Sequence, residues 1–470
     1  MANGNGGNRR VLGVFTLAMI NVAAIATLKN FPTMAEYGLS LIFYFVVASI
    51  IFFIPTSLIS AELATGWPQT GGVYVWVKEG LGAKLGFLAI WLWWFENVIW
   101  YPTILAFTAS TVAYVFDPAL AANKFFTLAV VLIAFWGGTL INLKGMKASG
   151  IISTVGVIAG TIIPGALVIT LGIVWLATGG EIQIGLSAGD LVPDITKMGN
   201  MTYLVAVLLA VAGMEMSAVH AQEVKNPQRD YPKAILLSAI VILAVTVLGS
   251  LAIAFVVPKS SLSLTAGVME AFEVFFGAYH IKWIVPVVAI LIALGGLATM
   301  STWIVGPSKG LLATAKHGDL PPIFAKVNKN HMPIPLLILQ GVIVTGLALV
   351  FLLMPSVSAS YWILTALTAQ QYLILYILMF AAAIRLRYTQ PDVPRAYRIP
   401  FGNFGMWAVG GIGIVGALFA ITVGFFPPAG SDPVRYVGFL VLGLVGTCLI
   451  GLIIHLLRKP EWKRDLGPLD

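Results

Sequence analysis

Two carboxylates, Glu96 and Glu215, stand in stretches otherwise built mostly from apolar residues, Trp93-Trp94-Phe95-Glu96-Asn97 and Leu209-Ala210-Val211-Ala212-Gly213-Met214-Glu215-Met216. A charge at the centre of a bilayer costs about 2.5–3.5 kcal/mol on insertion scales, so acids in such settings are functional candidates by default. The chemistry open to them is proton handling. Glu96 reads either as a carrier of a coupling proton or as a protonated acid hydrogen-bonded across helices. Glu215 reads as a group that bonds amides freed by a helix break or braces the neighbouring helix. His220, two turns further on, belongs to the side-chain type that titrates near neutral pH, and reads as a pH sensor or as a hydrogen-bonded packing residue.

Other chemistries lack their parts. The single cysteine, Cys448, and five scattered histidines offer no metal-ligand spacing, so no metal or cofactor is expected. No nucleophile with its base stands out, and Gly71-Gly72 lacks the downstream Lys-Ser/Thr of a phosphate-binding loop. An enzyme is not expected.

The elements that position these residues follow from composition. With 59% hydrophobic and 10% charged residues among 470, the chain has too little polar surface for a soluble fold and belongs in a bilayer. The net charge of +8 falls in short loops, where it signals topology rather than nucleic-acid binding. Twelve apolar stretches are long enough to span, near residues 11–30, 39–61, 85–116, 125–143, 150–178, 201–222, 234–257, 283–307, 334–354, 360–384, 404–426 and 436–457. The polar opening MANGNGGNRR is followed by no small-residue cleavage site, so the first span is expected to be retained. With the N-terminus inside, only Lys29, Lys124, Lys197, Lys259, Lys282 and Arg435 of the 27 Lys and Arg fall outside. That bias places both termini in the cytoplasm.

Two spans look breakable. Span 1 carries Asn21 and the run Val22-Ala23-Ala24-Ile25-Ala26 in mid-membrane, and span 6 carries Gly213 followed by Glu215. If residues 11–178 and 201–384 form halves of opposite orientation, the breaks occupy corresponding places and point to a midplane binding site. The alternative is that small residues only permit close helix packing. A half-helix that starts in mid-membrane offers amides, and one that stops there offers carbonyls. The two ends of an amino acid fit that pair. The α-carboxylate is expected near the amides of Ala24, Ile25 and Ala26, and the α-ammonium near the carbonyls of Val22, Ala210 and Val211, with the side chain toward spans 3, 8 and 10.

Two loop segments add specificity: Ala61-Glu62-Leu63-Ala64-Thr65-Gly66-Trp67-Pro68-Gln69-Thr70-Gly71-Gly72-Val73-Tyr74-Val75-Trp76 and Gln222-Glu223-Val224-Lys225-Asn226-Pro227-Gln228-Arg229-Asp230-Tyr231-Pro232. Both resemble signatures of the amino acid/polyamine/organocation (APC) transporter superfamily. Within it the chain is similar from end to end to the glutamate:GABA antiporter family, with matching pieces at Asn30-Phe31-Pro32-Thr33, Gly213-Met214-Glu215, Ser301 to Gly310 and Lys326-Val327-Asn328-Lys329-Asn330. The resemblance implies an all-α integral membrane fold in one transmembrane domain, residues 1–470. Two inverted five-helix repeats, with discontinuous helices 1 and 6, are joined by two peripheral helices over 404–457. It implies antiport of glutamate/GABA-like or neutral amino acids across a bacterial inner membrane by alternating access, with small amino acids and the lipid bilayer as partners and no nucleic acid. A proton-coupled symporter and a sensor that has lost flux are the alternatives.

The resemblance also suggests roles for Trp303 and for Tyr372 and Tyr376, the last two one helical turn apart on one face. They would close over a substrate and offer a hydroxyl or a cation-attracting ring, or else serve packing alone. Against the family pattern, Lys29 stands in place of a tyrosine and Thr299 in place of an acid. Both changes favour an anionic or neutral substrate side chain, unless Lys29 is an outer-end lysine paired with Glu36. Some relatives hold a lysine on span 5 in place of sodium; here Gly160 takes that position, and a built-in cation is not expected. A sodium site of oxygens from Ser153, Thr154 or Thr161 stays open.

Overall fold

The computed structural model describes residues 13–68, 72–144, 156–196, 198–215, 224–428 and 431–462, and among them no strand forms. The chain begins with two short helices, α1 (Val14–Ile25) and α2 (Asn30–Ala35), followed by the apolar helix α3 (Gly38–Gly66). Next come α4 (Val73–Leu81), α5 (Ala83–Phe116), α6 (Lys124–Asn142), α7 (Ile158–Ala177) and the short α8 (Tyr203–Ala210). The rest is α9 (Pro227–Val256), α10 (Gly267–Ala278), α11 (Val285–Lys316), α12 (Ile334–Leu353), α13 (Val357–Thr389), α14 (Gly402–Gly424) and α15 (Pro433–Leu456). Among the described residues ten helices are long and apolar enough to cross a membrane. The first and sixth apolar stretches are not continuous helices.

The first interruption has a local cause. Pro32 has no N–H to bond the Leu28 carbonyl, and its ring would collide with that group in a continuous helix. Alanines at 23, 24 and 26 are strong helix formers, so α1 persists to Ile25 and Ala26 N–H still bonds the Val22 carbonyl at 2.8 Å. The unwound segment is therefore Ala26–Lys29, shifted toward the proline from the alanine-rich stretch where the sequence suggests it. At the second interruption Gly213 takes φ +116°, a conformation open to glycine and strained for other residues. Just before it, Val211 and Ala212 donate back to the carbonyls of Leu208 and Leu209, the tightening of a helix about to stop.

Burial separates the interior from the rim. In the apolar windows of α5 and α13, 83% and 78% of residues are buried, against 22% in α15, so α5 and α13 form the middle of the bundle. α11 packs along α5, and α1 and α2 lie against α9. Gly160 meets Gly295 of α11 so closely that a Cβ on it would come 2.2 Å from the Leu291 carbonyl oxygen. A lysine at this position has no room. At the far end of α3, buried Glu62 pairs with Arg387 (2.6 Å) and Arg395 (3.3 Å) and accepts the Ile399 amide (2.8 Å), which ties the segment after α13 to α3.

Candidate functional site

Both interruptions open on one cavity. The first supplies Ile25, Ala26, Thr27, Lys29 and Asn30, and the stretch around the second supplies Leu209 and Ala212. Glu96, Asn97 and Trp100 of α5 also line the cavity, Trp100 lying about one helical turn beyond the other two. Thr299 and Trp303 of α11, Tyr372 of α13 and Thr161 of α7 complete the wall.

Glu96 is held in place from its own helix. Asn97 Nδ2 donates to the Trp93 carbonyl (2.9 Å) and to Glu96 Oε1 (2.5 Å), so the amide orients the acid. Lys29, which lines the same cavity, is 1% exposed. Its Nζ lies 5.7 Å from the Trp100 ring centroid and 5.3 Å from that of Tyr361, a cation–π pairing, and among the described residues it has no hydrogen bond or ion pair. The outer-end alternative for this lysine does not describe its place. Glu36 instead accepts from Tyr203 Oη at 3.5 Å; burial raises its carboxyl above the usual range, and Lys259 opposes that shift. Trp303 turns its ring toward Trp100, with centroids 6.2 Å apart, and its carbonyl accepts Tyr101 Oη at 2.8 Å. Thr299 Oγ1 donates back to the Gly295 carbonyl at 2.9 Å.

Behind this wall the second interruption is fastened to α13. Tyr376 Oη accepts the Gly213 N–H at 2.9 Å and donates to Glu215 Oε2 at 2.6 Å. Tyr372 Oη donates to the other carboxylate oxygen, and the two tyrosine rings lie 4.8 Å apart. Glu215 thus joins both tyrosines rather than lining the cavity. Tyr372 belongs to both the wall and this bonded unit.

Of the residues expected at a site, Ile25, Ala26, Lys29, Glu96, Thr299, Trp303 and Tyr372 line the cavity, while Gly213, Glu215 and Tyr376 form the unit behind it. Ala210 ends α8 and Val211 follows it. The expected main-chain donors move. Ala23, Ala24 and Ile25 lie inside α1, where amides pair four residues back, and the Val22 carbonyl is already taken by Ala26. Loose backbone begins at Thr27 for this reason. His220, Ser153 and Thr154 lie outside the described residues. Thr27, Asn30, Asn97 and Trp100 are not among the residues the sequence points to, although Trp100 lies one helical turn from Glu96 and that spacing marks it.

The arrangement can bind a small charged molecule. It offers one cation, one acid, two indoles, hydroxyls and main chain that is not engaged in a helix. Among the described residues no group of three His, Cys, Asp or Glu is placed to hold a metal.

The profile of a family described as "Amino acid permease" matches residues 12–454. The chain is 48% identical over 447 residues to an uncharacterised transporter of Legionella pneumophila, covering 95% of this chain and 96% of that one. It is 32% identical over 458 residues to a glutamate/gamma-aminobutyrate antiporter of Lactococcus lactis, covering 95% and 91% of the two chains. A probable agmatine/putrescine antiporter of the same species is 24% identical over 387 residues, 82% of each chain.

Proposed function

The chain belongs to the amino acid permease family, a family of membrane transporters and not of enzymes, and we propose that it is an amino acid antiporter working by alternating access. The single observation that carries this reading is the meeting of two interrupted helices at one cavity that also holds Lys29, Glu96 and Trp303. Exchange of a glutamate-like or neutral amino acid is supported by the names of the Lactococcus lactis relatives.

In this reading the α-carboxylate takes the amides of Thr27 to Lys29, at the start of α2, where helix geometry leaves the first N–H groups without intrahelical partners. The α-ammonium takes the carbonyls of Ala210 and Val211, and the side chain points at α5, α11 and α13. The Tyr376–Gly213 bond sets the angle at which the second break meets the substrate. Twelve spans in two inverted five-helix repeats with two peripheral helices, both termini in the cytoplasm of a bacterial cell, complete the proposal.

Counterflow tests it. Proteoliposomes preloaded with one unlabelled amino acid at a time are expected to accumulate the same labelled amino acid for at least one member of a full panel. No counterflow for any of them would turn the reading toward a sensor. Glu96 in the cavity favours proton-coupled symport as the second reading. Net uptake driven by a pH gradient into unloaded vesicles would support that reading against exchange.

A further inference from the structure

A second cavity, of about 270 Å³, lies away from the two interruptions, where the residues that follow α11 meet those that follow α15. His317, Gly318 and Asp319 line one side of it, and Arg458, Lys459 and Pro460 the other. A water needs only about 10–15 Å³, so the space admits a polyatomic group. We propose that it takes the phosphate of an anionic phospholipid, such as phosphatidylglycerol, whose acyl chains lie along α15. This goes beyond the transport reading and is independent of the transported substrate.

The acid of the lining is already compensated within the protein. Arg458 Nη1 donates to Asp319 Oδ1 at 3.2 Å, His455 Nδ1 lies 3.8 Å from the same oxygen, and Tyr74 Oη donates to the other one at 3.4 Å. Asp319 thereby holds the guanidinium in one orientation and leaves its other N–H donors to a phosphate oxygen. The Lys459 ammonium has no partner among the described residues. His317 keeps Nδ1 on the Ala313 carbonyl at 2.7 Å, which leaves Nε2 to donate when the ring is protonated. Lys84, at the start of α5, lies close enough for its charge to reach His455. The cavity is therefore net positive. The negative helix ends beside it do not cancel this charge, because their last carbonyls are engaged. Past α11, Gly318 takes φ +88°, and the amides of His317, Gly318 and Asp319 bond back to Ala313, Ala315 and Thr314; past α15, the Leu457 N–H bonds the Ile453 carbonyl. On the membrane side Leu456 and Leu457, next to Arg458, are each 66% exposed, and only 22% of the apolar window of α15 is buried. An apolar face that runs into a basic cavity fits a molecule with acyl chains and an anionic head, whereas a soluble anion would use the cavity alone.

The test uses the full-length protein purified in detergent and follows its melting temperature as phosphatidylglycerol, phosphatidylcholine or glycerol 3-phosphate is added. Phosphatidylglycerol is expected to bind saturably and raise the melting temperature. Phosphatidylcholine, whose choline offsets the phosphate charge, and glycerol 3-phosphate, which has no acyl chains, should bind about tenfold more weakly or less. Lys459→Gln should weaken phosphatidylglycerol about fivefold, and Lys459→Arg should keep it. Lys329→Gln removes the same charge from an exposed residue elsewhere and should leave binding unchanged. The melting temperature without lipid reports that each variant is folded. Equal binding of the two lipids, glycerol 3-phosphate binding as tightly as phosphatidylglycerol, no loss in Lys459→Gln, or the same loss in Lys329→Gln would overturn the proposal.

Discussion

At the scale of single residues, Tyr376 holds two groups together that neither water nor helix geometry would otherwise satisfy, the Gly213 N–H and one oxygen of Glu215. Tyr376→Phe removes both bonds, and a buried donor left unmade costs about 1–3 kcal/mol, so the variant should melt at a lower temperature and exchange more slowly. An unchanged melting temperature would remove Tyr376 from this role. Trp303→Ala takes away an indole of the cavity wall and should raise the apparent Km about tenfold, equivalent to about 1.4 kcal/mol, while the protein still inserts in the membrane. Outside the spans, Glu270 in the first turn of α10 offers a pH effect with a defined sign. Burial holds its carboxyl up to about 7, with Glu273 nearby raising it and the Ser263 amide lowering it. The folded state therefore binds this proton more tightly than the unfolded chain. Stability is full below the ordinary carboxylate range and falls as pH rises toward about 7, by up to a few kcal/mol at about 1.4 kcal/mol per unit. Melting curves between pH 5 and 8 should show the fall, and Glu270→Gln should flatten it.

At the scale of elements, the account depends on where helices stop. The break after α8 was legible because Gly213 sits in an apolar run beside an acid, and glycine is the residue that takes φ +116° without strain. Gly213→Leu forces a side chain into that conformation, at a cost of order 1–3 kcal/mol, and its Cβ would stand 3.3 Å from Ile25 Cγ1 on the wall of the cavity. It should abolish exchange in protein that still reaches the membrane; normal counterflow would show that the break is dispensable. The break after α1 was legible in kind but misplaced by a few residues. Small residues in a run suggest unwinding, yet alanine favours helix, and the disruptive residue is Pro32, which acts on a carbonyl four positions upstream. Lys29 was readable both as a residue facing the substrate and as an outer-end lysine, and the rings of Trp100 and Tyr361 beside its ammonium decide between the two.

At the scale of the whole molecule, hydrophobic length and the placement of Lys and Arg were enough to read a multi-pass helical protein, since a bilayer leaves few ways to satisfy a backbone. The pairing of α5 with α11 and α13, which builds the cavity, was not legible from periodicity, because α5 and α13 are buried on nearly every side and such helices show almost no amphipathic stripe. Orientation is open to a direct check. In a Cys448→Ala background, a cysteine replacing Lys124 should react with an impermeant maleimide applied to intact cells, and one replacing Lys144 should not; the reverse pattern would invert the topology. The most direct test of the central claim is a map of the protein solved with bound L-glutamate. The account predicts density for one amino acid lodged between the Thr27–Lys29 segment and the Ala210 and Val211 carbonyls, with its side chain toward α5, α11 and α13. Ligand density away from both interruptions would contradict it.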